Sequence, residues 1–73
     1  MGAMCTGNLF YDAEARRYNI RFDLERYYGG LHCGECMDVM IQGNWKATRI
    51  EMNSEGYYLV GVPGKIDGLQ VRI

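Results

Sequence analysis

The stretch Leu31-His32-Cys33-Gly34-Glu35-Cys36-Met37-Asp38-Val39-Met40-Ile41-Gln42-Gly43-Asn44-Trp45-Lys46-Ala47-Thr48-Arg49-Ile50-Glu51-Met52 holds the clearest hairpin of the chain, its one tryptophan, its one histidine and its closest cysteine pair. Gly43-Asn44 suits a two-residue primed turn, which pairs Gln42 with Trp45 and sets the register outward from there. Ile41 then falls opposite Lys46, Val39 opposite Thr48 and Met37 opposite Ile50. Met37, Val39, Ile41, Ile50 and Met52 share one apolar face, expected to be core. On the other face Asp38 falls opposite Arg49, an opposite-charge pair worth about 0.2–1 kcal/mol, while Met40, Ala47 and Trp45 gather nearer the turn.

The chain has 73 residues, enough for one small domain. At that size only about 60% of the surface of the unfolded chain is buried on folding, so stability is expected to be modest. With 48% hydrophobic and 23% charged residues, the composition is that of a globular domain. A net charge of −1 with scattered basic residues leaves no electrostatic footprint for nucleic acid or anionic lipid. No apolar run approaches the ~20 residues of a membrane span, and no charged-then-apolar leader opens the chain, so a cytoplasmic location is expected. Residues 1–6 are small and without period, and are expected to be disordered. Met1-Gly2-Ala3 before Met4 reads as an expression remnant. Residues 7–73 then form a single domain.

Within that domain, Leu9-Phe10-Tyr11 and Tyr18-Asn19-Ile20-Arg21-Phe22 flank a polar segment and read as a hairpin with Tyr18, Ile20 and Phe22 inward. A helix over Asp12 to Arg17 competes on propensity but is too short to stand unaided. Asp23 to Gly30 breaks the alternation and ends in a glycine pair, the mark of a long excursion between strands. Asn53-Ser54-Glu55-Gly56 is a turn, and the strand Tyr57 to Val62 returning from it pairs Met52 with Tyr57 and Ile50 with Leu59. Tyr58, Val60 and Val62 then join the face of Trp45. Pro63 to Gly68 forms a crossover with room for one short 3₁₀ turn. Leu69 to Ile73 alternates as a last strand that closes the sheet against an early one. The expected fold is therefore all-β, with five to six antiparallel strands.

Strand, long loop, strand, tight turn, strand, tight turn, strand, Pro/Gly crossover and strand is an order that resembles the SH3-like small barrel. The pattern Leu31, Gly34-Glu35, Val39, Gly43-x-Trp45, Gly56 and Leu59 is similar to the bacterial SH3 pattern, with Glu35 in place of the usual aspartate. Leu31-His32-Cys33-Gly34-Glu35-Cys36, Thr48-Arg49-Ile50-Glu51-Met52, Tyr58-Leu59-Val60-Gly61 and Gly68-Leu69-x-Val71-Arg72-Ile73 together resemble a small bacterial family classed as a domain of unknown function. The resemblance implies a fold and no activity. The Ala-Leu-Tyr-Asp-Tyr opening and the aromatic residue after Pro63 that a polyproline groove requires are both absent.

Cys33 and Cys36 form a lone Cys-x-x-Cys beside His32. Structural zinc takes four ligands, usually from two such knuckles, so a zinc knuckle on His32, Cys33 and Cys36 is an alternative, and ordinary reduced thiols in a turn are the leading expectation. No nucleophile or carboxylate stands in a recognisable relation to His32, so neither an enzyme nor a cofactor is expected. The aromatic residues, one tryptophan, six tyrosines and two phenylalanines, outnumber what a small barrel interior holds. Tyr27, Tyr28, Met40, Trp45 and Tyr58 fall outside it or on loops. Either the long loop folds over Trp45 as a second minicore, or these residues form a contact surface for a protein or peptide or for a second copy in a homodimer. The leading expectation is a noncatalytic protein-interaction module. Single-stranded nucleic-acid binding by aromatic stacking is a further alternative.

Overall fold

The structure, a computed structural model, describes residues 4–73. Six strands, β1 (Thr6–Asp12), β2 (Arg17–Arg21), β3 (Cys36–Ile41), β4 (Asn44–Asn53), β5 (Gly56–Leu59) and β6 (Gln70–Arg72), form one antiparallel sheet in the order β2-β1-β6-β3-β4-β5. No residue among those described is helical. The sheet curls into a half-barrel, and its two edge strands approach each other through an edge-to-face contact of Tyr18 with Tyr57 at 5.8 Å. Leu9, Ile20, Leu31, Val39, Ile50, Leu59 and Val71 fill the concave side and are fully buried. Burying each contributes about 1.5–3 kcal/mol. Ile66, from the crossover, joins this core.

The central hairpin forms with its faces as expected and its register moved by two residues. Ile41 pairs with Asn44, Met40 with Trp45, Val39 with Lys46 and Met37 with Thr48. The turn residues are Gln42 at φ 49° and Gly43 at φ 82°, both in the left-handed region that a type I′ turn needs. Glycine takes the second central position, and the Asn44 side chain donates to the Gln42 carbonyl at 3.4 Å. A shift of two preserves every face, because side chains alternate with period two. Val39 and Thr48 therefore share the inner face without being partners. Asp38 lies opposite Ala47 rather than Arg49. Met52 also departs from expectation: it is 52% exposed, on a stretch of β4 that runs beyond the packed core.

The turn into β5 is regular, with Met52 paired to Tyr57 and Ile50 to Leu59 as expected. Val62 instead packs on the core, since β5 ends at Leu59 and the chain turns there, Val62 N–H donating to the Leu59 carbonyl at 3.0 Å. The crossover holds isolated turns, one of them a single turn closed by Leu69 N–H on the Ile66 carbonyl at 3.1 Å. β6 enters between β1 and β3. Its ladder continues to Cys5, which exchanges both backbone hydrogen bonds with Ile73. The expected disordered segment 1–6 thus overlaps the sheet at Cys5 and Thr6. Residues 1–3, with the expected expression remnant, lie outside the described residues. The 13–16 loop is a turn and not a helix, with the Asp12 carboxylate accepting from the N–H groups of Glu14 and Ala15.

Candidate interaction surface

The long excursion after β2 is a built structure. At its start the Asp23 carboxylate accepts from the N–H groups of Glu25 and Arg26, both at 3.0 Å, and from Arg26 Nε at 2.6 Å. Phe22 N–H closes the same turn on the Arg26 carbonyl at 2.8 Å. An aspartate that bonds its own backbone two and three residues on fixes a tight turn. The Arg26 hydrogen bond, followed by the Glu25 amide, holds the Asp23 carboxyl below its ordinary range. Leu24 sits at the tip of this turn, 81% exposed.

The return of the excursion is clamped to the free edge and outer face of β2. Tyr27 bridges to Arg21, Tyr28 N–H donates to the Ile20 carbonyl, and Leu31 N–H donates to the Tyr18 carbonyl. Asn19, 9% exposed, organises the rest: its Oδ1 accepts from the N–H groups of Ile20, Gly29 and Gly30 at 2.8, 3.0 and 3.1 Å. On the same outer face Phe10, the β1 partner of Asn19, meets the Tyr27 ring edge-to-face at 5.8 Å. Two depressions of about 370 and 430 Å³ flank this contact, one lined by Phe10 and Tyr27, the other by Phe22, Asp23 and Leu24. They share Asn8 and Arg21.

The five aromatic and sulfur residues singled out from the sequence do not form one patch. The loop does fold back as a second minicore, over Phe10 and Asn19 and not over Trp45. The reason is topological: the loop folds back on β2, which carries it, and its neighbour β1, while three strands separate β2 from β4 in the order of the sheet. Tyr27 is half exposed beside Phe10. Tyr28 turns toward Glu35, donating its hydroxyl to Oε1 at 2.6 Å, while Oε2 accepts from the His32 N–H at 2.7 Å. That carboxylate raises the Tyr28 pKa, chiefly through the hydrogen bond. Tyr58 pairs with Glu51, six residues along β4 from Trp45 and hence about 20 Å away at ~3.3 Å per residue.

Trp45 and Met40 are direct cross-strand partners. The cover of Trp45 is Arg72, whose guanidinium lies 4.5 Å from the ring centroid and donates to the Asp38 carboxylate at 2.9 Å. This is a satisfied cation–π and ion-pair cluster on a half-buried ring, and it leaves little of the tryptophan to a partner. Trp45→Ala is expected to cost about 1–3 kcal/mol in urea denaturation, below the ~3–5 of a fully buried aromatic.

Cys33 occupies a turn closed by Glu35 N–H on the His32 carbonyl, and Cys36 begins β3. Both are exposed free thiols, as is Cys5. The His32 ring Nδ1 lies 3.9 Å from Glu35 Oε2. Among the described residues no group of three His, Cys, Asp or Glu side chains is placed to hold a metal ion.

At the seam of the half-barrel, Tyr11, Tyr18 and Tyr57 form a chain of edge-to-face rings. The Tyr18 hydroxyl donates to Asp67 Oδ1 at 2.6 Å. Burial and then this hydrogen bond push the Tyr18 pKa up to about 12. The folded value lies above the ordinary tyrosine value of about 10, so the stabilisation is complete below pH ~10 and is lost as pH rises from ~10 to ~12. Tyrosinate absorbance should show a late-titrating component near the Tyr18 value that disappears in Tyr18→Phe.

Leu24, Phe10, Arg21 and Asn19 were not among the residues singled out from sequence. The Asp23 turn carried the one usable signal, an aspartate opening a segment that leaves the strand alternation.

The half-barrel topology, the clamped excursion and the thiol turn define a small all-β domain of antiparallel strands. The family described as "Domain of unknown function (DUF5348)" matches residues 7–73, and the chain belongs to that family. It is similar to a protein from Ruminococcus gnavus solved by crystallography, with 56% identity, a TM-score of 0.87, and coverage of 93% of this chain and 99% of that one. No curated protein matches. Among the described residues no helix is long and apolar enough to cross a membrane.

Proposed function

We propose that this domain is a noncatalytic, SH3-like protein-interaction module whose contact surface is the outer corner formed by Phe10, Arg21, Leu24 and Tyr27. The observation that carries the reading is Leu24, an apolar side chain 81% exposed at the tip of a turn held by Asp23 and Arg26. A scattered exposed leucine is ordinary. This one stands on a pre-ordered turn beside the Phe10–Tyr27 pair, of which Tyr27 is half exposed, so binding through it incurs little of the entropy cost of ordering a loop. Three exposed thiols with no disulfide between them suit a reducing, cytoplasmic setting.

The test is affinity capture from lysate of the source cell with wild-type protein, Leu24→Asp and Trp45→Ala as baits. A protein bound by wild type and Trp45→Ala and lost with Leu24→Asp supports this surface. Equal capture by wild type and Leu24→Asp removes it.

A further inference from the structure

We propose that the Leu24 corner docks on the same corner of a second copy of this chain, forming a two-fold dimer. The inference rests on the interaction surface above and names its occupant. A two-fold contact places one patch against itself, so each copy must present both a projection and its complement. This corner presents both. The projection is Leu24 with Glu25 beside it, and no cation among the described residues forms an ion pair with Glu25.

The complement is the groove along Asn8 and Arg21 under the Phe10–Tyr27 pair. Arg21 is exposed, has no carboxylate partner among the described residues, and donates only to the Asp23 backbone carbonyl at 3.2 Å. An apolar knob flanked by an unpaired anion thus adjoins an apolar groove flanked by an unpaired cation. Across a two-fold axis Glu25 of each copy meets Arg21 of the other, twice per dimer. Asp23 and Arg26 neutralise each other within the turn and add no net charge to the face.

The described residues expose 5037 Å². A specific interface of about 1,000 Å² in total needs about one-tenth of that surface from each copy. A contact of this size gives a weak dimer whose population depends on concentration.

Sedimentation equilibrium of the full chain from roughly 10 µM to 1 mM tests the proposal, since these concentrations span weak association. Wild type should pass from monomer to dimer over this range, and Leu24→Asp should stay monomeric with unchanged thermal unfolding, because Leu24 contributes nothing to the core. Arg21→Glu and Glu25→Arg should each weaken association at least about tenfold, and the double variant should recover most of it. Three results overturn the dimer: a wild type that stays monomeric, a Leu24→Asp that associates equally well, or a double swap that restores nothing. A monomeric wild type that still captures another protein through Leu24 would refute the dimer and leave the interaction module standing.

Discussion

Asn19→Ala is expected to lower stability by about 3 kcal/mol and to release the segment from Tyr27 to Gly30, one of the two strongest effects this structure implies. One oxygen accepts three backbone N–H groups, and the Gly30 donor is buried. Removing the acceptor strands these donors where water reaches them poorly, and an unsatisfied buried donor costs about 1–3 kcal/mol. Opening of the segment limits the loss, because the freed groups then find water. That same opening separates Tyr27 from Phe10. Asn19→Asp keeps the acceptor and should recover much of the stability. Urea denaturation of the two variants reads the difference, and an Asn19→Ala protein as stable as wild type would show that the clamp contributes nothing.

Gly7→Ala should destabilise by about 3 kcal/mol, at the upper end of overpacking costs. Gly7 lies in β1 opposite Val71, and β2 passes so close that an added Cβ would overlap the Arg21 carbonyl oxygen and sit 2.7 Å from Ile20 Cγ2. The first of these neighbours is backbone and cannot step aside as a side-chain tip does. Relief requires β1 and β2 to separate, which disrupts the pairing that runs from Asn8 with Arg21 to Asp12 with Arg17. Chemical denaturation checks this, and a change under about 0.5 kcal/mol, the level of an ordinary surface substitution, would contradict the close approach.

Much of the fold was legible because it depends on alternation alone. The inner face of Met37, Val39 and Ile50, the Ile50–Leu59 pairing and the closing strand around Val71 all follow from period two and turn spacing. The hairpin register was misread by two because Gly43-Asn44 looks like the turn, while the I′ geometry prefers glycine second and places Gln42 first. Such an error leaves faces intact and moves partners, which is why Asp38 was assigned Arg49 and found Arg72.

The surface was less legible. Tyr27 was singled out as a loop aromatic, but its neighbours depend on where the excursion lands, and that is decided by one polar side chain, Asn19, gathering amides ten and eleven residues on. Hydrophobic periodicity carries no trace of that contact. Trp45 presented the opposite difficulty. Its place on the outer face was correct, and its cover came from Arg72 in the final strand, a contact between strands remote in sequence.

The proposed contact surface exists only if the Phe22–Leu31 excursion holds one conformation, and amide hydrogen exchange measures this directly. The amides of Gly29, Gly30 and Leu31 should exchange slowly in the wild type, within about tenfold of core amides such as that of Ile50, and fast in Asn19→Ala. Rapid exchange of all three in the wild type would mean that the excursion is a mobile loop with no built corner for a partner to dock on.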